Sequence, residues 1–145
     1  MSEIEITIRL LLSCFFGGVV GFIRERDRKA AGLRTHIMVA VGSTLFTLVS
    51  IYMAMTFVNV DASRVAAAVV TGIGFLCAGA IIRDGGSVRG LTTAASVWAV
   101  SAIGIAVGCG MYFTASVATF IAFIVLEGLS RVERKYISPD KGKTL

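Results

Sequence analysis

The sequence predicts an all-α membrane protein, a bundle of about five transmembrane helices. The composition is 56% hydrophobic and 16% charged, with a mean hydropathy of +0.85, whereas a soluble domain carries roughly a quarter charged residues. The charges are also clustered, and residues 36–59, 65–82 and 90–126 contain no Asp, Glu, Lys or Arg. Each run reaches the ~18 residues that cross a bilayer core as a helix. A soluble helix of that length would need a polar face, and these runs offer only isolated Ser and Thr.

Span 1 covers residues 4–23. Its basic cluster follows the apolar stretch and no small-x-small cleavage site is visible, so it reads as a retained span. Span 2 covers 36–58. Span 3 covers 64–82 and is small on one side through Gly72, Gly74, Ala78 and Gly79. The run 90–126 is too long for one crossing, since its residues would reach about 55 Å as a single helix. It must fold back, and Gly108-Cys109-Gly110 is the place, giving span 4 at 91–108 and span 5 at 111–128. Span 4 carries Thr92, Thr93, Ala94, Ala95, Ser96, Ala99, Ser101 and Ala102 and is expected to be central. Trp98 is expected to pack between helices. Span 5 carries Phe113, Phe120, Ile121, Phe123 and Ile124 and is expected to face lipid. Residues 1–130 then form one membrane domain and 131–145 a basic tail.

Sorting the basic residues by side gives the orientation. Arg24, Arg26, Arg28, Lys29, Arg34, Arg83, Arg89, Arg131, Arg134, Lys135, Lys141 and Lys143 share one side, against Arg9 and Arg64 on the other. The positive-inside rule places the crowded side in the cytoplasm and the amino terminus outside. The net charge of +5 follows from that topology and is aimed at anionic lipid head groups rather than nucleic acid.

Small residues let helices approach closely in lipid. Gly17 and Gly21 form a G-x-x-x-G pair, as do Gly104 and Gly108; with Gly72, Gly74 and Gly79 they are the expected packing glycines, and a homodimer through the G-x-x-x-G faces is expected. Gly72-Ile73-Gly74 lies inside an apolar span and is no nucleotide fingerprint. A weak repeat is visible. Arg24-Glu25 is followed by Gly32-Leu33-Arg34-Thr35, and Arg83-Asp84 by Gly90-Leu91-Thr92-Thr93. Spans 1–2 and 3–4 would then be parallel hairpins, with span 5 added and the two charged loops meeting at one cytoplasmic site.

The chemistry-bearing residues are few. Glu25, Asp27 and Asp84 are the weak metal candidates, because magnesium takes one or two carboxylates and keeps much of its water; pairing with neighbouring arginines is the competing reading. His36 suits proton relay or an interfacial hydrogen bond, and alone it cannot build a zinc site. Cys14, Cys77 and Cys109 lack C-x-x-C spacing, so no disulfide is expected. No G-x-S-x-G accompanies the single histidine, which points away from catalysis, and no cofactor is expected.

Gly17-Gly18-Val19-Val20-Gly21, Arg24-Glu25 and Ala31-Gly32-Leu33-Arg34-Thr35-His36 resemble the first signature of the MgtC/SapB family. The stretches Gly72-Ile73-Gly74-Phe75-Leu76-Cys77-Ala78-Gly79-Ala80-Ile81-Ile82-Arg83 and Val88-Arg89-Gly90-Leu91-Thr92-Thr93-Ala94-Ala95 resemble its second. The resemblance runs from about Ile8 to Ser130. It implies a bacterial inner-membrane protein tied to growth at low magnesium, host survival, phosphate and ATP balance, and contact with a membrane protein such as the proton-driven ATP synthase. It brings no settled transport activity or catalysis. The functional candidates it marks are Arg24, Glu25, Arg34, Thr35, His36, Asp84, Arg89, Thr92 and Thr93. Two positions depart from the family pattern: Ile23 stands where an acidic residue is common, and Cys77-Ala78-Gly79 stands for Gly-Ala-Gly. About 17 residues follow span 5, so the chain is expected to be the short form without a soluble carboxy-terminal domain. A small ion transporter or channel for magnesium or protons is the alternative to a membrane regulator.

Overall fold

The computed structural model describes residues 1–84 and 86–129, so the expected basic tail 131–145 lies outside the described residues. Five helices follow one another: α1 (Glu3–Arg26), α2 (Leu33–Thr56), α3 (Ser63–Gly79), α4 (Leu91–Gly108) and α5 (Tyr112–Phe123), the last continued by a π-helical segment, Ile124–Leu129. Among the described residues, α1, α2, α4 and the unit Tyr112–Leu129 are long and apolar enough to cross a membrane, while α3 is a 17-residue apolar helix. The five helices match the expected bundle, with α3 shorter than the span 64–82 read from the sequence.

The elements start and stop for local reasons. Ser2 caps α1 by accepting the Glu5 N–H at 3.2 Å. Glu3 and Glu5 fill the first turn of α1 and Arg24 and Arg26 its last, each sign complementing the helix dipole. At the start of α3, the Asp61 carboxylate accepts the Ser63 N–H at 2.8 Å and its hydroxyl at 2.7 Å, and these bonds hold the Asp61 carboxyl below its ordinary pKa. The second charged loop forms a small antiparallel hairpin, β1 (Ile82–Asp84) and β2 (Ser87–Arg89), pairing Ile82 with Arg89, Arg83 with Val88 and Asp84 with Ser87. Gly90 then turns the chain into α4 at φ +89°, where a Cβ would collide with the Ala80 carbonyl. The first charged loop has no such hairpin and turns instead through Arg28 at φ +50°. The two linkers therefore differ in conformation, despite the matching letters around them.

The core is a three-helix unit of α1, α2 and α4, with α3 against α4 and α2 and α5 against α4 and α1. The unit is inverted relative to a soluble bundle. On α1, Ile4, Ile8, Leu11, Phe15 and Phe22 face outward, while Arg9, Ser13, Gly17, Gly21 and Arg24 are buried. Lipid solvates a greasy exterior, so close packing and internal hydrogen bonds decide which face turns inward. In α4 56% of the spanning window is buried, against 17% for Tyr112–Leu129, so α4 is central and the last helix peripheral. All three cysteines are free.

The glycines divide in two. A Cβ on Gly17 would stand 2.8 Å from the Ala40 Cβ, one on Gly21 2.8 Å from the Leu33 Cα, and one on Gly108 2.6 Å from the Thr47 Cβ; on Gly104 it would meet the Ala40 carbonyl. Both G-x-x-x-G faces are thus filled inside one chain, and a homodimer cannot use them as expected. By contrast, among the described residues nothing lies within 4 Å of a Cβ placed on Gly72, Gly74 or Gly79. These three positions of α3 stand clear of the bundle, contrary to the packing expected of them. Trp98 also departs from expectation: it is 52% exposed, on the face of α4 opposite the buried Thr93, Val97, Val100 and Gly104.

Candidate functional site

Polar side chains gather in the α1/α2/α4 core at two levels. At the end holding the carboxyl terminus of α1 and the amino termini of α2 and α4, Arg24 is 5% exposed and its Nη2 donates to the Thr93 hydroxyl. Its Nε has no hydrogen-bond partner among the described residues. His36 is fully buried beside it. Its Nδ1 lies 2.7 Å from the Gly32 carbonyl, which can only accept, so Nδ1 carries a proton. Nε2 lies 3.0 Å from the Ser96 hydroxyl, whose single proton is directed at the Thr93 carbonyl 2.8 Å away.

The second level belongs to the other half of the bundle. Ser43 and Ser101 join hydroxyls at 2.8 Å between α2 and α4. The Thr44 Oγ1 lies 2.7 Å from both the Ser13 hydroxyl and the Gly104 carbonyl, tying all three helices together. Nearer that end, Arg9 donates to the Gly108 carbonyl and pairs with Glu5, while its Nε finds no partner. Between the two levels lie Val20, Val39, Ala40, Val97 and Val100, a contiguous apolar layer with no polar side chain. His36 and Thr44 are two helical turns apart, about 12 Å along α2.

Arg24 reaches from α1 across to Thr93 on α4, linking the first hairpin to the second. Glu25 stays within the first hairpin, where its Oε2 accepts the Leu33 N–H at 2.9 Å. Both residues were expected in a loop but belong to α1, which continues to Arg26. Arg34, Thr35, Arg89 and Thr92 are exposed at the same end and are not drawn into the Arg24 cluster. The side chain of Asp84 lies outside the described residues. Asp27 pairs with Arg26 at 3.5 Å, and Arg26 also pairs with Glu127 of the π-helical segment. Among the described residues, no group of three His, Cys, Asp or Glu side chains is placed to hold a metal ion, so the weak metal candidates do not assemble.

Sequence reasoning missed Arg9, Ser13, Ser43, Thr44, Thr47 and Glu127. Their signal was periodic. Arg9, Ser13, Gly17, Gly21 and Arg24 recur at three- and four-residue spacing on α1, as do Ser43, Thr44, Thr47 and Ser50 on α2. In a helix surrounded by lipid, such a polar and small stripe marks the inner face.

A family model described as the MgtC family matches residues 10–135. YhiD of Escherichia coli strain K12, named as a candidate magnesium transporter, is 42% identical over 128 residues, covering 85% of this chain and 60% of its own length. SrpB of Synechococcus elongatus is 39% identical, covering 89% of this chain and 77% of its own length. MgtC of Salmonella typhimurium is 38% identical over 94% of this chain and 59% of its own length. The chain thus spans about 60% of the length of YhiD and MgtC of Salmonella. No solved structure matches.

Proposed function

Because the chain belongs to the MgtC family, we propose that it is a non-enzymatic regulator of the bacterial inner membrane, acting by contact with another membrane protein during adaptation to low magnesium. Phosphate and ATP balance and host survival are the processes the family resemblance attaches to that role, with the ATP synthase as a partner of the expected kind. The observation that supports the reading is the apolar layer of Val20, Val39, Ala40, Val97 and Val100. An ion crossing it would lose its hydration shell with no polar side chain to replace it, a cost far above that of a paired or solvated charge. Gly72 and Gly79, seven residues apart on one face of α3 and both open, supply a surface on which a partner helix can come close.

The name of YhiD favours transport instead, as do the buried Arg24 and His36. Purified protein in liposomes separates the two readings. Regulation predicts magnesium and proton flux no greater than in empty vesicles, together with recovery of a distinct membrane protein after cross-linking in native membrane. Flux above empty vesicles that falls on Asp84→Asn would overturn it in favour of transport.

A further inference from the structure

We propose that Arg24 and the first turn of α4 form a binding site for a phosphate-type oxyanion, either free phosphate or the headgroup phosphate of a lipid. The inference does not rest on the regulatory reading, since it concerns the charge balance of one buried corner.

The two buried arginines of the core sit at opposite ends of α4. Arg9 donates to the carbonyl of Gly108, in the last turn, where a cation complements the negative end of the helix dipole. Arg24 donates to Thr93 in the first turn, where the dipole presents its positive end and a cation is disfavoured. Arg9 also has Glu5 as an ion-pair partner, whereas among the described residues Arg24 has no salt bridge. It is 5% exposed, and its Nε–H, like that of Arg9, has no acceptor among the described residues.

Nearby negative charge offsets part of this. The carboxyl end of α1 lies here, and Asp27 is within Coulombic reach of Arg24, although it also pairs with Arg26. Glu25 is engaged by the Leu33 N–H and so serves the positive end of α2. The amino terminus of α4 has no equivalent, because its N-cap is Gly90, which offers no side-chain acceptor.

A tetrahedral oxyanion meets these demands together. A guanidinium presents a fork of donors that matches two oxygens of one phosphate, and helix-terminal N–H groups donate to a third. Leu91 and Thr92 are exposed, so the first turn of α4 is reachable from the interface. Arg34, Arg83 and Arg89, exposed at the same end, raise the local concentration of anions without being built into the site.

The full chain in a neutral detergent tests this by calorimetric titration with inorganic phosphate in one arm and dioctanoyl phosphatidic acid in another. Dioctanoyl glycerol, which lacks the phosphate, is the control. The expected result is saturable binding of about one equivalent in at least one phosphate arm and none with the glycerol. Arg24→Gln should lower the affinity at least tenfold, and Arg64→Gln, at the opposite end, should leave it unchanged. Saturation by inorganic phosphate identifies a free-anion site, and saturation by the lipid alone identifies a headgroup site. No binding in either arm, or equal losses for both variants, overturns the proposal. If Arg24→Gln does not fold, the arginine Nε–H resonances of the unaltered protein decide. A buried one must shift as phosphate is added, and spectra left unchanged overturn the proposal equally.

Discussion

Gly17 and Ala40 pack so closely that a Cβ placed on the glycine would stand 2.8 Å from the Ala40 Cβ and 2.8 Å from the His36 carbonyl. Gly104 bears on the carbonyl of the same Ala40 from α4. Ala40 is thus the point where three backbones converge, and it sits in the apolar layer that divides the two polar levels. Two effects oppose each other on Gly→Ala substitution here. Helix propensity favours alanine by up to about 1 kcal/mol, whereas overpacking a tight contact costs about 1–3 kcal/mol. Backbone cannot give way as a flexible side chain can, so the clash wins. Gly17→Ala and Gly104→Ala are expected to lower the thermal midpoint in detergent. Gly74→Ala, with open space around it, is expected to leave it unchanged or raise it slightly.

The Thr44 hydroxyl should matter less than its connections suggest. It meets both Ser13 and Gly104 at 2.7 Å. Yet hydrogen bonds between membrane helices average about 0.6 kcal/mol and reach about 1.7, because the unfolded helix also finds partners in the bilayer. Thr44→Val keeps the shape and removes the bonds, so a loss within that range is expected by reversible unfolding in mixed micelles. Thr71→Val, on an exposed helix face, is the matched control and should be silent.

What could be read from the sequence follows the same physics. The apolar runs placed the helices, and the Gly108-Cys109-Gly110 turn is real, with Gly110 at φ +79° and an Arg9 nitrogen 3.2 Å from where its Cβ would stand. Hydropathy sees the membrane strongly and the neighbouring helix weakly, so the inward face was hard to read. Trp98 is apolar enough for either environment, and only its register on α4 turns it outward with Leu91, Ala95 and Ala102. Gly72, Gly74 and Gly79 look like Gly17 and Gly104 in sequence, but only the latter have a helix against them. Arg24 was legible as charged and juxtamembrane. Its burial was not, because that depends on Thr93, sixty-nine residues away.

The pair between Arg26 and Glu127 fastens the π-helical segment to the end of α1. The Arg26 side chain is 47% exposed and that of Glu127 11%, so water screens one partner and the pair is weak. Glu127→Gln should speed hydrogen exchange of residues 124–129 only modestly, by about fivefold at most, as expected of a screened pair. Arg26→Glu should act in the same direction, and the double reversal Arg26→Glu with Glu127→Arg should recover most of the protection. Failure of the reversal to recover it would mean that other contacts hold the segment.

The orientation remains a prediction of charge, and a native thiol can test it. Cys109 is exposed at the bundle end opposite Arg24, whereas Lys29 follows the last turn of α1. The positive-inside rule places Lys29 in the cytoplasm and Cys109 outside. With Cys14 and Cys77 replaced by alanine, a membrane-impermeant maleimide should label Cys109 in intact cells. In a chain also carrying Cys109→Ala, Lys29→Cys should label only after permeabilisation. The opposite pattern would turn the whole bundle over, because α1, α2 and α4 are locked to one another by Arg9, Arg24 and Thr44 and cannot invert separately. It would also move the Arg24 corner from the cytoplasmic surface, where the basic loops can collect phosphate, to the outer one.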